Sequence, residues 1–218
     1  MTADLFAPYQ ELAAALLPHA LPQPTGKADG SHDLAHLARV WRNVRTIAAR
    51  DGGDAELLAA ATLLHDCVAV EKDSPLRAQA SRLAAARASD ILEKMGWGTE
   101  RVADVAHAIE AHSFSAGIVP QTREAQVLQD ADRLDAIGAI GVARCFYTGG
   151  RLGSGLYDPA DIDAHDRDLD DARYALDHFE SKLLKLASGF HTMTGAAMAE
   201  ARHKRMQDYL AGLREEIG

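Results

Sequence analysis

The 218-residue chain carries 23 basic against 32 acidic side chains, a net charge of −9, with 47% hydrophobic and only 6% aromatic residues. That length suits one domain with a sizeable core. The negative balance argues against a general binder of nucleic acid or of anionic membrane surfaces, since neither polyanion is drawn to it, and a composition rich in alanine and leucine favours helices over a sandwich or barrel.

Residues 4–17 read as a short amphipathic helix, and LPQPTGKADG after them as a linker punctuated by two prolines and two glycines. A helix then starts at Ser31 or Asp33, either of which can cap it, and runs to about Arg50. DGGD breaks the chain, and Asp54 can cap a helix through Leu64 into the pair His65-Asp66. That helix, ELLAAATLL, is apolar nearly all round and should be central. Further helices are expected over 77–95, stopping at Gly96, and over 100–112 with Thr99 as cap. SFSAGIVPQT reads as a loop and 123–147 as one helix. TGGRLGSGLYDPADIDAHDRDLDDA lacks clear periodicity; its segment 158–171 holds seven aspartates and reads as a solvated loop or a lid. Helices over 171–187 and 194–216 complete the chain. With no alternating apolar-polar run, the expected fold is all-α, one domain over 1–218.

Cys67 and Cys145 stand 78 positions apart without a CxxC motif, which points to a reducing cytoplasm. The first twenty residues lack a basic start followed by an unbroken apolar core, so no signal peptide is expected. No stretch is long and apolar enough for a membrane span.

Four residues carry the chemistry. His36 lies on the first core helix, His65-Asp66 end the apolar one, and Asp132 sits in QDADRLDAIGA, whose Leu134, Ile137, Ile140 and Gly141 indicate burial. A lone His-Asp pair is more often a hydrogen-bonded helix end. Two imidazoles and two carboxylates on helices that should pack together, however, make a cage for a divalent metal, and a caged ion with open positions implies hydrolysis. Mixed nitrogen and oxygen donors suit Mn, Mg, Fe, Ni or Zn.

The order H…HD…D, with the phrases SHDLAHLARV, AATLLHD, AHSFS, QDADRLDAIGAIGVARCF, HFESKLLKL and AEARHKRMQDYL, resembles the HD superfamily of metal-dependent phosphohydrolases, within it a bacterial branch that includes nucleotide pyrophosphatases. The resemblance implies an HD-type helical bundle, with a metal-binding core over about 31–147 completed by 148–218. It makes His36, His65, Asp66 and Asp132 the ligands of one metal ion. The pair His32-Asp33 is a decoy: His36 precedes the family's ARV by two residues. Asp132 is chosen over Asp130 and Asp135 by its place before Arg-Leu, with Asp130 read as structural. Asp66, Asp135 and His112 are then the catalytic candidates, Asp135 or the metal's hydroxide serving as base. Lys72, His112, Arg133 and Lys182 are the candidate contacts to substrate phosphate. His107, five residues before His112, should face the surface.

HDCVAV lacks the acidic pair of the HDxxED branch and the catalytic Glu of the nucleotidase branch, because Ala69 and Val70 stand there, though Glu71 and Asp73 follow. No Gly-Tyr-Pro signature occurs. GRLGSGLY lacks the Lys and hydroxyl of a P-loop, DIDAHD lacks the glycine of a calcium loop, and SFSAG is no nucleophile elbow. The expected activity is hydrolysis of nucleoside triphosphates to monophosphate and pyrophosphate. A nucleoside monophosphate phosphatase and a non-catalytic metal or nucleotide sensor are the alternatives. The expected partner is a small phosphorylated substrate, with no nucleic-acid polymer and no membrane, and the C-terminal helix (Met206, Leu210, Leu213) can pack internally or against a second copy.

Overall fold

A computed structural model of the chain describes residues 2–21, 33–68, 70 and 77–218. Among them no strand forms; an isolated bridge pairs Gly155 with Tyr174, and the all-α expectation holds. The chain divides into two compact units, Met1–Arg133 and Leu134–Gly218.

In the first unit, α1 (Gln10–Ala20), α2 (Leu34–Asp51), α4 (Ala80–Lys94) and α5 (Thr99–Ala111) pack around α3 (Ala55–Leu64) or one another. Every residue of α3 from Leu57 to Leu64 is buried, so its all-round apolarity translates into the central position. Each of its four leucines contributes roughly 1.5–3 kcal/mol by leaving water. On α2 the buried residues His36, Leu37, Val40, Trp41, Asn43, Val44 and Ile47 recur at helical spacing. Trp41 meets the rings of Phe6 and Tyr9 at 6.5 and 6.0 Å. Asp33 and Asp54 cap α2 and α3 as read, each accepting from backbone N–H groups of the first turn.

Several boundaries differ from the sequence reading. The helix expected over 4–17 is a 3₁₀ turn, Ala3–Phe6, followed by α1 from Gln10. Pro8 holds Ala7 at ψ 140, outside the helical region. Residues 77–79 form a 3₁₀ turn before α4. Gly98, not Thr99, is the residue before α5, and Thr99 opens the helix itself. His107, expected at the surface, is half-buried and its Nε2 accepts the Gln121 N–H at 2.9 Å.

The helix read as continuous over 123–147 is two: α6 (Arg123–Asp135) and α7 (Gly138–Leu152). Ile137 is extended and Gly138 sits at φ +74, open to glycine at low cost. Gly138 also leaves room for Arg202, whose Cβ and Cγ would lie 3.0 Å from a methyl there. Leu134, Ile137 and Gly141 are buried as expected, but Ile140 is exposed, because the break rotates it off the buried face. α7 then runs on into what read as loop.

In the second unit α7 packs on α9 (Met193–Ile217). The segment 171–187, expected as one helix, holds only α8 (Asp177–Ser181) and a 3₁₀ turn, Leu183–Ala187. Phe146, Phe179 and Tyr209 form a ring cluster with centroids 6.0–6.2 Å apart. The acidic loop is not merely solvated. Arg167 grips Asp177 through both guanidinium nitrogens, at 2.5 and 2.9 Å, and the Asp161 carbonyl through a third contact. The Arg167 guanidinium holds the buried Asp177 carboxyl below the usual carboxylate range.

Gly141 is built against the Ala136 carbonyl, which an added methyl would strike. Gly141→Ala is expected to cost about 1–3 kcal/mol. Gly150→Ala, where nothing lies within 4 Å of the new Cβ, is expected to be neutral or to gain up to about 0.5–1 kcal/mol. Urea midpoints of the two variants check the contrast.

Candidate metal centre

Four elements of the first unit deliver the polar groups. The Asp33 cap accepts from the His36 N–H at 2.9 Å, so the turn that starts α2 also fixes the backbone of His36. His65 closes α3 and Asp66 follows it; His112 closes α5; Asp132 is carried by α6. Helix ends suit this task, because the chain leaves each helix where its backbone groups need partners.

The side chains converge. His36 Nε2 lies 3.3 Å from His65 Nε2, 3.6 Å from Asp66 Oδ2 and 3.4 Å from Asp132 Oδ1. His65 Nε2 lies 3.4 Å from Asp66 Oδ2 and 3.8 Å from Asp132 Oδ1. An ion with bonds of about 2.1 Å places neighbouring ligand atoms about 3.0–3.4 Å apart, so the spacing approximates the edges of one coordination shell. His112 Nε2 stands 3.8 Å from the other Asp66 oxygen, Oδ1, with its ring 4.9 Å from that of His65.

Proton placement says what such a cluster needs. His65 Nδ1 is 2.7 Å from the Thr62 carbonyl and His112 Nδ1 is 2.6 Å from the Ile109 carbonyl. A carbonyl only accepts, so both Nδ1 atoms carry a proton, and the buried His65 ring, disfavoured as a cation, turns an Nε2 lone pair toward Asp66. Burial pulls His65 below its ordinary value of 6.5; Asp66 and Asp132 oppose that pull, and His112 and His36 reinforce it. Lone pairs and carboxylates pointed at one spot repel, and a divalent cation converts that repulsion into ligation. The donor set therefore fits a divalent metal: ligand atoms of His36, His65 and Asp66 all lie within 4.8 Å of one another, with Asp132 Oδ1 3.4 and 3.8 Å from the two imidazoles.

The imidazoles of His36 and His65 are 1% and 0% exposed, whereas the Asp66 and Asp132 side chains are 30% and 27% exposed. Nitrogen forms the floor and oxygen the mouth. Two amides hold the walls: Asn43 Nδ2 donates to the Ala131 carbonyl at 2.9 Å, and Gln129 Nε2 donates to the Ala111 carbonyl at 2.7 Å. They tie α6 to α2 next to Asp132 and to the end of α5 next to His112. Gln129 was not visible as a positioning residue in sequence, where nothing marks a glutamine whose partner is 18 positions away.

Arg133, read as a phosphate contact, is 4% exposed and lies with its guanidinium carbon 3.8 Å from the centroid of the Phe114 ring. Burial lowers its pKa and neighbouring Asp130 opposes this; Asp130 is itself fully buried. Asp135 belongs to the second unit, buried, with Oδ2 accepting from Arg144 at 3.0 Å. Lys182 is exposed at the end of α8. His32, Lys72, Glu71 and Asp73 lie outside the described residues. Both thiols are buried, which pushes Cys67 and Cys145 up to about 11, and each donates to a carbonyl, of Ala84 and Ala175.

A family model described as the HD domain matches residues 33–137, the stretch that holds all four convergent residues. The uncharacterized protein YpgQ of Bacillus subtilis (strain 168) is 33% identical over 190 residues, 85% of this chain and 84% of its own length. The chain belongs to the HD superfamily of hydrolases. The crystal structure of B. subtilis YpgQ in complex with ADP covers 99% of this HD-superfamily chain and 97% of its own, with TM-score 0.70 and 30% identity. An HD-superfamily hydrolase from Bacillus thuringiensis covers 99% and 98% respectively, with TM-score 0.68 and 30% identity.

Two outcomes are expected. Adding Mn²⁺ to metal-stripped protein raises the thermal midpoint, by a stability increment of about 2.7 kcal/mol at a hundredfold excess over Kd; His36→Ala and Asp132→Ala abolish the increment. In stripped protein, His65 holds its proton less readily folded than unfolded, so the unfolded chain protonates first as pH falls. Stability is then flat above 6.5 as far as this group is concerned and declines below it. Urea midpoints against pH show the decline, and His65→Gln flattens it.

Proposed function

We propose that the protein is a metal-dependent phosphohydrolase that converts nucleoside triphosphates to monophosphates and pyrophosphate. The convergence of two imidazole Nε2 atoms, each 3.4–3.8 Å from an oxygen of Asp66 and of Asp132 and 3.3 Å from one another, carries this reading. The similarity to YpgQ, which has been crystallised with ADP, supports a nucleotide as the substrate.

His36, His65, Asp66 and Asp132 would hold one ion, Mn, Mg, Fe, Ni or Zn. When bound, it supplies Lewis acidity to a phosphoryl group and acidifies a water molecule. The protein's own groups do the rest. Asp66 Oδ1 faces His112 Nε2 at 3.8 Å, a pair of groups that would orient an attacking water by hydrogen bonds. The more exposed carboxylates at the mouth would repel a polyphosphate on their own; a cation between them reverses the sign of the field there. Asp135 as base, and Lys72 and Lys182 as phosphate contacts, remain part of the proposal on the strength of the family resemblance, as does the treatment of 1–218 as one functional domain.

The decisive measurement is a hydrolysis panel with metal-stripped protein, each cation added back singly, scoring phosphate and pyrophosphate separately. Pyrophosphate and monophosphate are the expected products, with Asp66→Ala lowering the rate by at least about a hundredfold, as loss of a group central to the electrostatics of catalysis does. Phosphate released from nucleoside monophosphates would instead make the protein a phosphomonoesterase. Stoichiometric metal and nucleotide binding without turnover would make it a sensor.

A further inference from the structure

Phe114 is an exposed aromatic side chain of the first unit. It opens the 3₁₀ turn Phe114–Ala116, two residues after His112, and is 49% exposed. One face of its ring lies on the guanidinium of Arg133, at 3.8 Å. Arg133 is buried, its charge supported by Asp130, so the ring rests on a fixed cation and its remaining surface is open.

The chain keeps the backbone of Phe114 close to the candidate metal centre from two directions. Phe114 is two residues from His112, which limits their Cα separation to about 7.6 Å, and Arg133 is bonded to Asp132 with Cα atoms about 3.8 Å apart. An aromatic face braced from behind and standing next to a metal and phosphate centre is what a nucleobase needs for stacking, the ribose bridging the interval. Cation–π contact behind the ring holds it in place without consuming its open face.

We propose that Phe114 is the platform on which the substrate's base stacks, with Arg133 as the residue that positions it and not, as its sequence position suggested, a phosphate contact. This rests on the nucleotide reading above and names what in the protein recognises the nucleoside. Stacking tolerates any base because every base has a π face, so the site should discriminate weakly among the bases and strongly between nucleotides and inorganic polyphosphates.

The test uses full-length, metal-loaded protein, with ADP and inorganic tripolyphosphate as probes, measured by calorimetry. Phe114→Leu keeps the apolar bulk and removes the π face; it is expected to weaken ADP binding about tenfold and to affect tripolyphosphate far less. Phe114→Tyr should restore ADP affinity, which also shows that the turn tolerates substitution. Equal losses for both probes would overturn the proposal, since the ring would then serve only to shape the metal centre. Unaltered ADP affinity in Phe114→Leu, with wild-type protein preferring ADP, would overturn it while leaving the nucleotide reading intact. Wild-type protein that binds tripolyphosphate and shows no gain for ADP would overturn both.

Discussion

The hydrogen bond from His65 Nδ1 to the Thr62 carbonyl decides what the centre can be. Thr62, His65 and Asp66 lie within one turn of the end of α3, the most buried helix of the first unit. The bond consumes the ring's proton on the protein side and leaves a bare nitrogen facing two carboxylates. His112 repeats the arrangement against Ile109. The backbone of two helix ends thus fixes the Nδ1 proton of both rings, and at His65 this leaves a demand for positive charge that a proton on its depressed imidazole meets poorly. α3 is buried from Leu57 to Leu64 and His65 is itself fully buried, so the demand is met in an apolar surrounding.

Charge placement then organises function. The protein is negative overall and the two more exposed groups of the cluster are the carboxylates Asp66 and Asp132, so under the proposed function an anionic substrate would gain nothing from the protein's field without a cation at the cluster. The supporting amides, Asn43 and Gln129, keep α6 close enough for Asp132 to join that cluster.

Much of this was legible in sequence. The four convergent residues stood out because their order, with burial signalled by the surrounding apolar runs, has few structural explanations. The caps Asp33 and Asp54 were legible because capping is a local act. What escaped was set by contacts distant along the chain. The break between α6 and α7 depends on Arg202 lying across Gly138, 64 positions away, and a glycine in a helical pattern does not say whether it packs or turns. Arg133 looked like a phosphate ligand because charge beside a metal aspartate suggests it; its burial under Phe114 depends on a turn nineteen residues earlier. The loop of aspartates read as solvated because its organising partner, Asp177, lies on a different element.

That loop has one more consequence, for how the chain meets a protease. A long irregular segment is ordinarily nicked first. Between Asp158 and Asp171, however, the one arginine is Arg167, and its guanidinium is already committed to Asp177 and Asp161. Trypsin must extract that side chain into its own pocket before it can cut. The side chain that organises the loop is thereby also its guard against digestion, because cleavage after Arg167 requires breaking the contacts that hold the loop.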